Sequence, residues 1–303
     1  VKRVEPGGPA GVQQTFAFVE APQATPRAEP LSLAGSRIVV GTCGYSYKDW
    51  IGRFYPERIK PQAMLAYYAQ HFAAVEVDAS YYRVPPPATF ASMSARTPPD
   101  FRFTVKAPGS VTHLPVEDEL DVPDDAKFFR ESVQPLVEDG KLAAVLVQFP
   151  HAFRPTPHTE RYLRVLREAF EGLTLAFEFR NREWQNARTL ELLARLESAW
   201  CNVDEPQFET MVRPSSDVVG PLAYVRFHGR NYKQWWRPPS PAERYDYLYT
   251  PEELEPWTER VIDMAVQTPQ TFAFFNNHRF GQAARNAQTF ARMLLARLDG
   301  SEG

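Results

Sequence analysis

The stretch LAYVRFH, residues 222–228, runs through Tyr, Val and Phe and closes on Arg226 and His228, the composition of a buried strand that ends at a polar site. Seven further short apolar runs share this character, at 38–43, 74–79, 101–107, 143–149, 173–179, 199–203 and 271–276. Segments of helical period separate them, at 61–71, 87–95, 123–138, 157–170, 183–197 and 251–267, and a last one follows at 282–298. Eight strands alternating with helices predict a parallel sheet closed on itself: one α/β domain, a (β/α)8 TIM-like barrel over residues 37–299. Several of the helices open with proline, whose missing N–H costs nothing in the first turn. The sixth strand is short, and no helical pattern follows it before Leu222.

Residues 1–36 are rich in Pro, Ala, Gly and Gln, with Phe16, Phe18 and Val19 as their main apolar residues, and read as a flexible extension outside the barrel. The 303 residues are 44% hydrophobic and 23% charged, which suits a globular domain with a sizeable core. A net charge of -3 argues against non-specific coating of nucleic acid while allowing a local basic cleft. The two cysteines, Cys43 and Cys201, have no CxxC spacing and form no disulfide framework; a reducing, cytoplasmic setting is expected. No apolar run reaches the roughly twenty residues needed for a bilayer, so no membrane partner is expected. Nothing in the composition bears on oligomeric state.

Strands of a closed parallel barrel are shielded on both faces, so polar residues within them need a reason. Here they gather at the strand ends. With a two-residue period, Glu76 and Asp78 share a face, as do Thr104 and Lys106, Glu178 and Arg180, and Arg226 and His228. Gln148 and Asn276 hold equivalent late positions. The carboxyl ends of strands are where barrels of this kind build active sites. The competing reading is a buried ionic cluster in which these charges merely neutralise one another. After the first strand, GTCGYSY (41–47) supplies glycines and Tyr45 without the spacing of a P-loop, and Cys43 reads as core. His113, His228 and His278 fall at the ends of strands three, seven and eight. With Glu76 and Glu178 they could hold a divalent metal, although no HxH or HExxH spacing favours one, and no cofactor is assigned. From His228 to Trp257, the residues Tyr232, Trp235, Trp236, Tyr245, Tyr247, Tyr249 and Trp257 alternate with Arg230, Lys233, Arg237 and Arg244, a composition suited to an aromatic lid over the mouth.

At these positions the chain resembles a known family, domain of unknown function 72, or the YecE-like proteins. The resemblance rests on GTCGYSYKDWIGRFYP (41–56), VEVDASYYRVP (75–85) and FTVKAPGSVTH (103–113), followed in order by LVQFP, FEFRNREW, VRFHGR and FFNNHRFGQAARNA, and it covers about residues 38–298. It implies a TIM-like barrel and brings no established activity. The second-strand motif departs from the family pattern, which has Asn in place of Asp78 and Thr in place of Ser80, and so adds a carboxylate beside Glu76.

Three functions fit this pattern. The first is a hydrolase acting on a phosphate-bearing ligand, with nucleic acid as one such partner: Glu76 or Glu178 activates water, Lys106 and Arg226 stabilise developing charge, and His228 or His113 is the general acid. Tyr45, Asp78, Tyr82, His113, Gln148, Arg180, Arg230, Trp235, Trp236, Asn276 and His278 would then bind the substrate. The second is a carbohydrate-active enzyme with Glu76 and Glu178 as its paired carboxylates, a role that direct ion pairing of each glutamate with Lys106 or Arg226 would oppose. The third is a non-catalytic barrel holding an anion or an acidic partner.

Overall fold

A computed structural model describes residues 29–33, 35–113 and 124–300. A short strand, β1 (Leu31–Leu33), runs antiparallel to the start of β2 (Ser36–Cys43). The barrel continues through β3 (Ala74–Val77), β4 (Arg102–Lys106), β5 (Leu142–Gln148), β6 (Leu175–Glu178), β7 (Ala199–Asp204), β8 (Ala223–Phe227) and β9 (Gln270–Phe275). Each strand pairs in parallel with the next, and β2 pairs with β9 from Arg37↔Gln270 to Thr42↔Phe275, closing an eight-stranded ring. The (β/α)8 TIM-like reading therefore holds. β1 lies within the stretch read as extension, because Leu31 and Leu33 pack against the core; residues 1–28 lie outside the described residues.

Apart from a one-turn helix after β4 that was not expected, the helices follow the expected segments with trimmed ends. They are α1 (Met64–Tyr68), α2 (Pro87–Ala95), the one-turn α3 (Gly109–Thr112), α4 (Asp124–Glu138), α5 (Pro157–Ala169), α6 (Ala187–Arg195), α7 (Pro251–Ala265) and α8 (Gln282–Asp299). Two expected helices open with 3-10 turns, Pro61–Ala63 and Arg182–Trp184. Proline occupies the first turn of α2, α5 and α7, and Thr156 and Thr250 close capping boxes before α5 and α7. Thr250→Ala is expected to cost about 1 kcal/mol of stability, read as a shift in the urea midpoint at unchanged slope.

The connection from β7 to β8 carries no helix, as its sequence implied. A buried side chain does the organising instead: Asn202 donates to the Asp217 carbonyl at 2.9 Å, while its oxygen accepts from Ser215 Oγ at 2.7 Å and Asp217 N at 3.1 Å. Strand register then sets the level of the polar residues, with Glu76 beside Cys43 and Thr104, and Glu178 beside Gln148.

Candidate functional site at the barrel mouth

The floor of the mouth is an ionic cluster centred on Arg226. Its Nη1 donates to Glu178 Oε2 at 2.7 Å and its Nη2 to Glu76 Oε1 at 2.5 Å, with Asp78 Oδ1 at 3.7 Å. Tyr224 donates its hydroxyl to the other oxygen of Glu76 at 2.6 Å. Arg180 forms an ion pair with Glu178, Nε lying 2.8 Å from Oε1, and donates from Nη1 to Glu205. Glu76, Glu178 and Glu205 are all fully buried. Burial alone would raise the pKa of Glu178, but Arg180, Arg226 and His228 more than offset it and hold the carboxyl well below its ordinary range. Glu205 shares Arg180 with Glu178, and burial pushes it up to about 8.

His228 is a wall of this cluster rather than an exposed acid. Asn276 Nδ2 lies 3.0 Å from its Nδ1, which assigns Nδ1 as acceptor and leaves Nε2 protonated, 3.2 Å from Glu178 Oε1. Burial and the neighbouring Arg180 keep the imidazole neutral.

Above the floor opens a cavity of about 620 Å³. Eleven of the residues singled out in the sequence line it: Asp78, Tyr82, Lys106, His113, Gln148, Arg180, Arg226, Trp235, Trp236, Asn276 and His278. Lys106 lies over the Tyr81 ring, Nζ 4.3 Å from its centroid, and makes no ion pair among the described residues. Burial pulls its pKa down and Arg226 adds to this, against the opposing pull of Asp78. Burial and the charge of Glu76 push Asp78 up to about 7, so this carboxyl exchanges its proton near neutrality. His278 stacks on Tyr47 at 4.5 Å, and its Nδ1 has no hydrogen-bond partner among the described residues. His113 sits on the rim with Thr112 Oγ1 2.9 Å from its Nδ1. Gln148 donates to the Phe149 carbonyl at 2.7 Å.

The remaining five candidates do not line the cavity. Glu76, Glu178 and His228 lie beneath it. Tyr45 packs against Tyr68 at 6.2 Å, and its carbonyl accepts from Tyr55; Tyr47, two residues on, reaches the cavity instead. Arg230 turns away because Gly229 adopts a left-handed φ of 85°, which breaks the strand alternation. It grips Asp204 from outside, Nε to Oδ1 at 2.9 Å and Nη2 to Oδ2 at 2.7 Å. The same carboxylate accepts from the Tyr249 hydroxyl at 2.7 Å and Trp257 Nε1 at 2.7 Å, so it clamps both ends of the aromatic stretch to the barrel.

Glu205, Tyr47 and Tyr81 join the site without having been singled out, and Arg244 and Tyr245 reach it from the stretch read as an aromatic lid. Tyr81, Arg244 and Tyr245 carried a visible signal as members of aromatic and cationic runs, whereas Glu205 follows its strand in a stretch without periodicity. The three histidines and two glutamates that could have held a metal, though no spacing favoured one, do not come together as a ligand set. Cys43, Glu76 and Asp78 do bring ligand atoms within 4.8 Å of one another, but all three face the guanidinium of Arg226, which supplies the positive charge there. Cys43 is buried, as expected of core, and burial pushes its thiol up.

Among the described residues no helix is long and apolar enough to cross a membrane. Comparison with known proteins gives a consistent result. UPF0759 protein YunF of Bacillus subtilis is 33% identical over 276 residues, covering 85% of this chain and 94% of its own. A DUF72 family protein from Thermotoga maritima superposes with a TM-score of 0.76 at 38% identity, covering 85% of this chain and 98% of its own. One from Enterococcus faecalis gives 0.74 at 30% identity, covering 85% and 95%. Residues 39–301 match the family described as protein of unknown function DUF72, and the chain belongs to that family.

Proposed function

We propose that the cavity binds a phosphate-bearing ligand and hydrolyses a phosphoester bond in it. One observation carries this reading: Lys106, Arg180 and Arg226 turn toward a single cavity that also presents Asp78, a carboxyl with a pKa of about 7. Of these, Lys106 is the cation without an ion pair among the described residues, and such a charge in a partly desolvated pocket suits the charge that builds on a phosphoryl group in its transition state, with Arg180 and Arg226 held behind it by buried glutamates. The water-activating role expected of Glu76 or Glu178 passes to Asp78, because both glutamates are buried and committed to Arg226. In the step, Asp78 takes a proton from water as the water oxygen bonds to phosphorus. The phosphorus–oxygen bond to the leaving group breaks, and that oxygen departs with the electron pair and is protonated by solvent. The carbohydrate reading loses support for the same reason, since Arg226 bridges the two carboxylates it needs.

Release of p-nitrophenol from bis(p-nitrophenyl) phosphate, assayed with and without divalent cations, tests the proposal. Asp78→Asn is expected to lower kcat by roughly a hundredfold or more with KM little changed, as for loss of a proton acceptor. Lys106→Met is expected to lower kcat and kcat/KM together, as for loss of an interaction that strengthens in the transition state. Calorimetric binding of inorganic phosphate by a wild-type protein that releases no nitrophenol would mark an anion-binding barrel without catalysis. Neither binding nor release would end the phosphate reading.

A further inference from the structure

The cavity does not end at its own walls. Trp236 lines it and is 50% exposed, and beyond it Phe208 stands 5.5 Å from Trp236 and 5.3 Å from Tyr232, itself 49% exposed. His151 meets Trp236 from the other side at 5.5 Å. Elsewhere on the same mouth, Tyr82 also lines the cavity and is 83% exposed. Tyr82 follows β3 and Trp236 follows β8, with β9 and β2 between them around the ring. Each of these exposed rings is followed in sequence by an exposed cation: Tyr82 by Arg83, Tyr232 by Lys233 and Trp236 by Arg237. None of the three cations has an ion-pair partner among the described residues.

Large exposed rings cost free energy in water and contribute nothing to the core, while unpaired cations beside them give the patch a charge preference. A compact phosphate ester would fill the 620 Å³ cavity without reaching Tyr232 or Arg237. A chain that repeats phosphate and flat ring at regular intervals would use all of it. Stacking platforms beside a cationic track are the general solution for binding single strands, because every base has a face to stack and every link a charge.

Building on the phosphate reading above, we infer that the ligand is a single-stranded nucleic acid laid across the barrel mouth, with bases stacked on Tyr82 and Trp236 and a phosphodiester between them over Lys106 and Arg180. Arg83, Lys233 and Arg237 contact the flanking phosphates. The path accounts for the exposed rings after both β3 and β8 and for the cations beside them.

Fluorescence anisotropy with fluorescein-labelled oligothymidylates and oligouridylates of increasing length, on the full chain, tests this. Affinity is expected to rise with length to a plateau near about five nucleotides, within the range of single-strand site sizes. Tyr82→Ala combined with Trp236→Ala is expected to weaken binding by about tenfold or more. Arg83→Ala combined with Arg237→Ala should flatten the slope of log K against log salt by about 1.4, the value for two single-strand phosphate contacts. Affinity independent of length, equal affinity for a duplex of the same sequence, or equal affinity for a neutral oligosaccharide would each overturn the inference. Turnover of the small diester without length-dependent binding would sink the strand and leave the phosphoester reading standing. Length-dependent binding without diester turnover would retain the strand and remove the hydrolysis.

Discussion

Arg226→Met is expected to lower the free energy of unfolding by about 3–5 kcal/mol, the usual cost of removing one partner from a buried ionic cluster. The cost arises from what is left behind. Glu76 and Glu178 are both fully buried, and Arg226 is the cation that bridges them. Without it Glu178 retains Arg180, but Glu76 retains no ion pair among the described residues, with only the Tyr224 hydroxyl, Cys43 and Asp78 beside it. Combining Arg226→Met with Glu76→Gln and Glu178→Gln is therefore expected to recover a substantial part of the loss, since no uncompensated charge remains. Urea unfolding followed by tryptophan fluorescence measures both variants. A single-variant loss under about 1 kcal/mol would mean that water reaches the glutamates, and that the cluster is softer than its burial implies.

Asp78→Asn, the substitution that tests the proposed hydrolysis, is expected to make the protein more stable at pH 8. Burial and the charge of Glu76 push Asp78 in the folded state up to about 7, above the ordinary 3.8 of this side chain, so the folded protein holds this proton more tightly than the unfolded chain. Stability from this group is greatest below about pH 4, falls as pH rises toward 7, and is flat above. Asparagine has no proton to lose, and the variant gains on wild type across that window. A shift from 3.8 to about 7 corresponds to at most about 4 kcal/mol, and because a quarter of the Asp78 side chain meets solvent, a gain of roughly 2–3 kcal/mol is expected at pH 8. Unfolding curves at pH 5 and pH 8 give the answer; an identical difference between variant and wild type at both values would sink it. A carboxyl that destabilises its own fold at working pH is a common mark of a functional site.

The barrel was legible in the sequence because a closed parallel sheet imposes a simple rule: apolar strands, polar groups only where the strands end. That rule located Lys106, Asn276 and the Arg226 and Glu178 region with no structure in hand. Depth was not legible. Strand alternation puts Glu76 and Asp78 on one face, yet β3 ends at Val77 and Asp78 takes helical dihedrals, so the first is a fully buried counterion and the second a cavity wall. Alternation also ceases to apply once a strand ends. Gly229 swings Arg230 out of register with Arg226 and His228, and Glu205 reaches Arg180 from a connection without periodicity. The helix missing between β7 and β8 was visible as an absent pattern, whereas the contacts of Asn202 that replace it are made only in three dimensions.

The clamp on Asp204 has one more implication. Arg230 and Tyr249 are fastened to the same carboxylate, and Gly229 N donates to the Tyr249 hydroxyl at 2.8 Å, so the two feet of the intervening arch stand on a fixed chord. The arc between fixed feet can lengthen or shorten at an entropic cost that grows only with the logarithm of its length, without moving the strands below. Trp235, Trp236, Arg244 and Tyr245 all ride on that arc. The arch can therefore change in length and content while the ionic floor beneath it stays as it is.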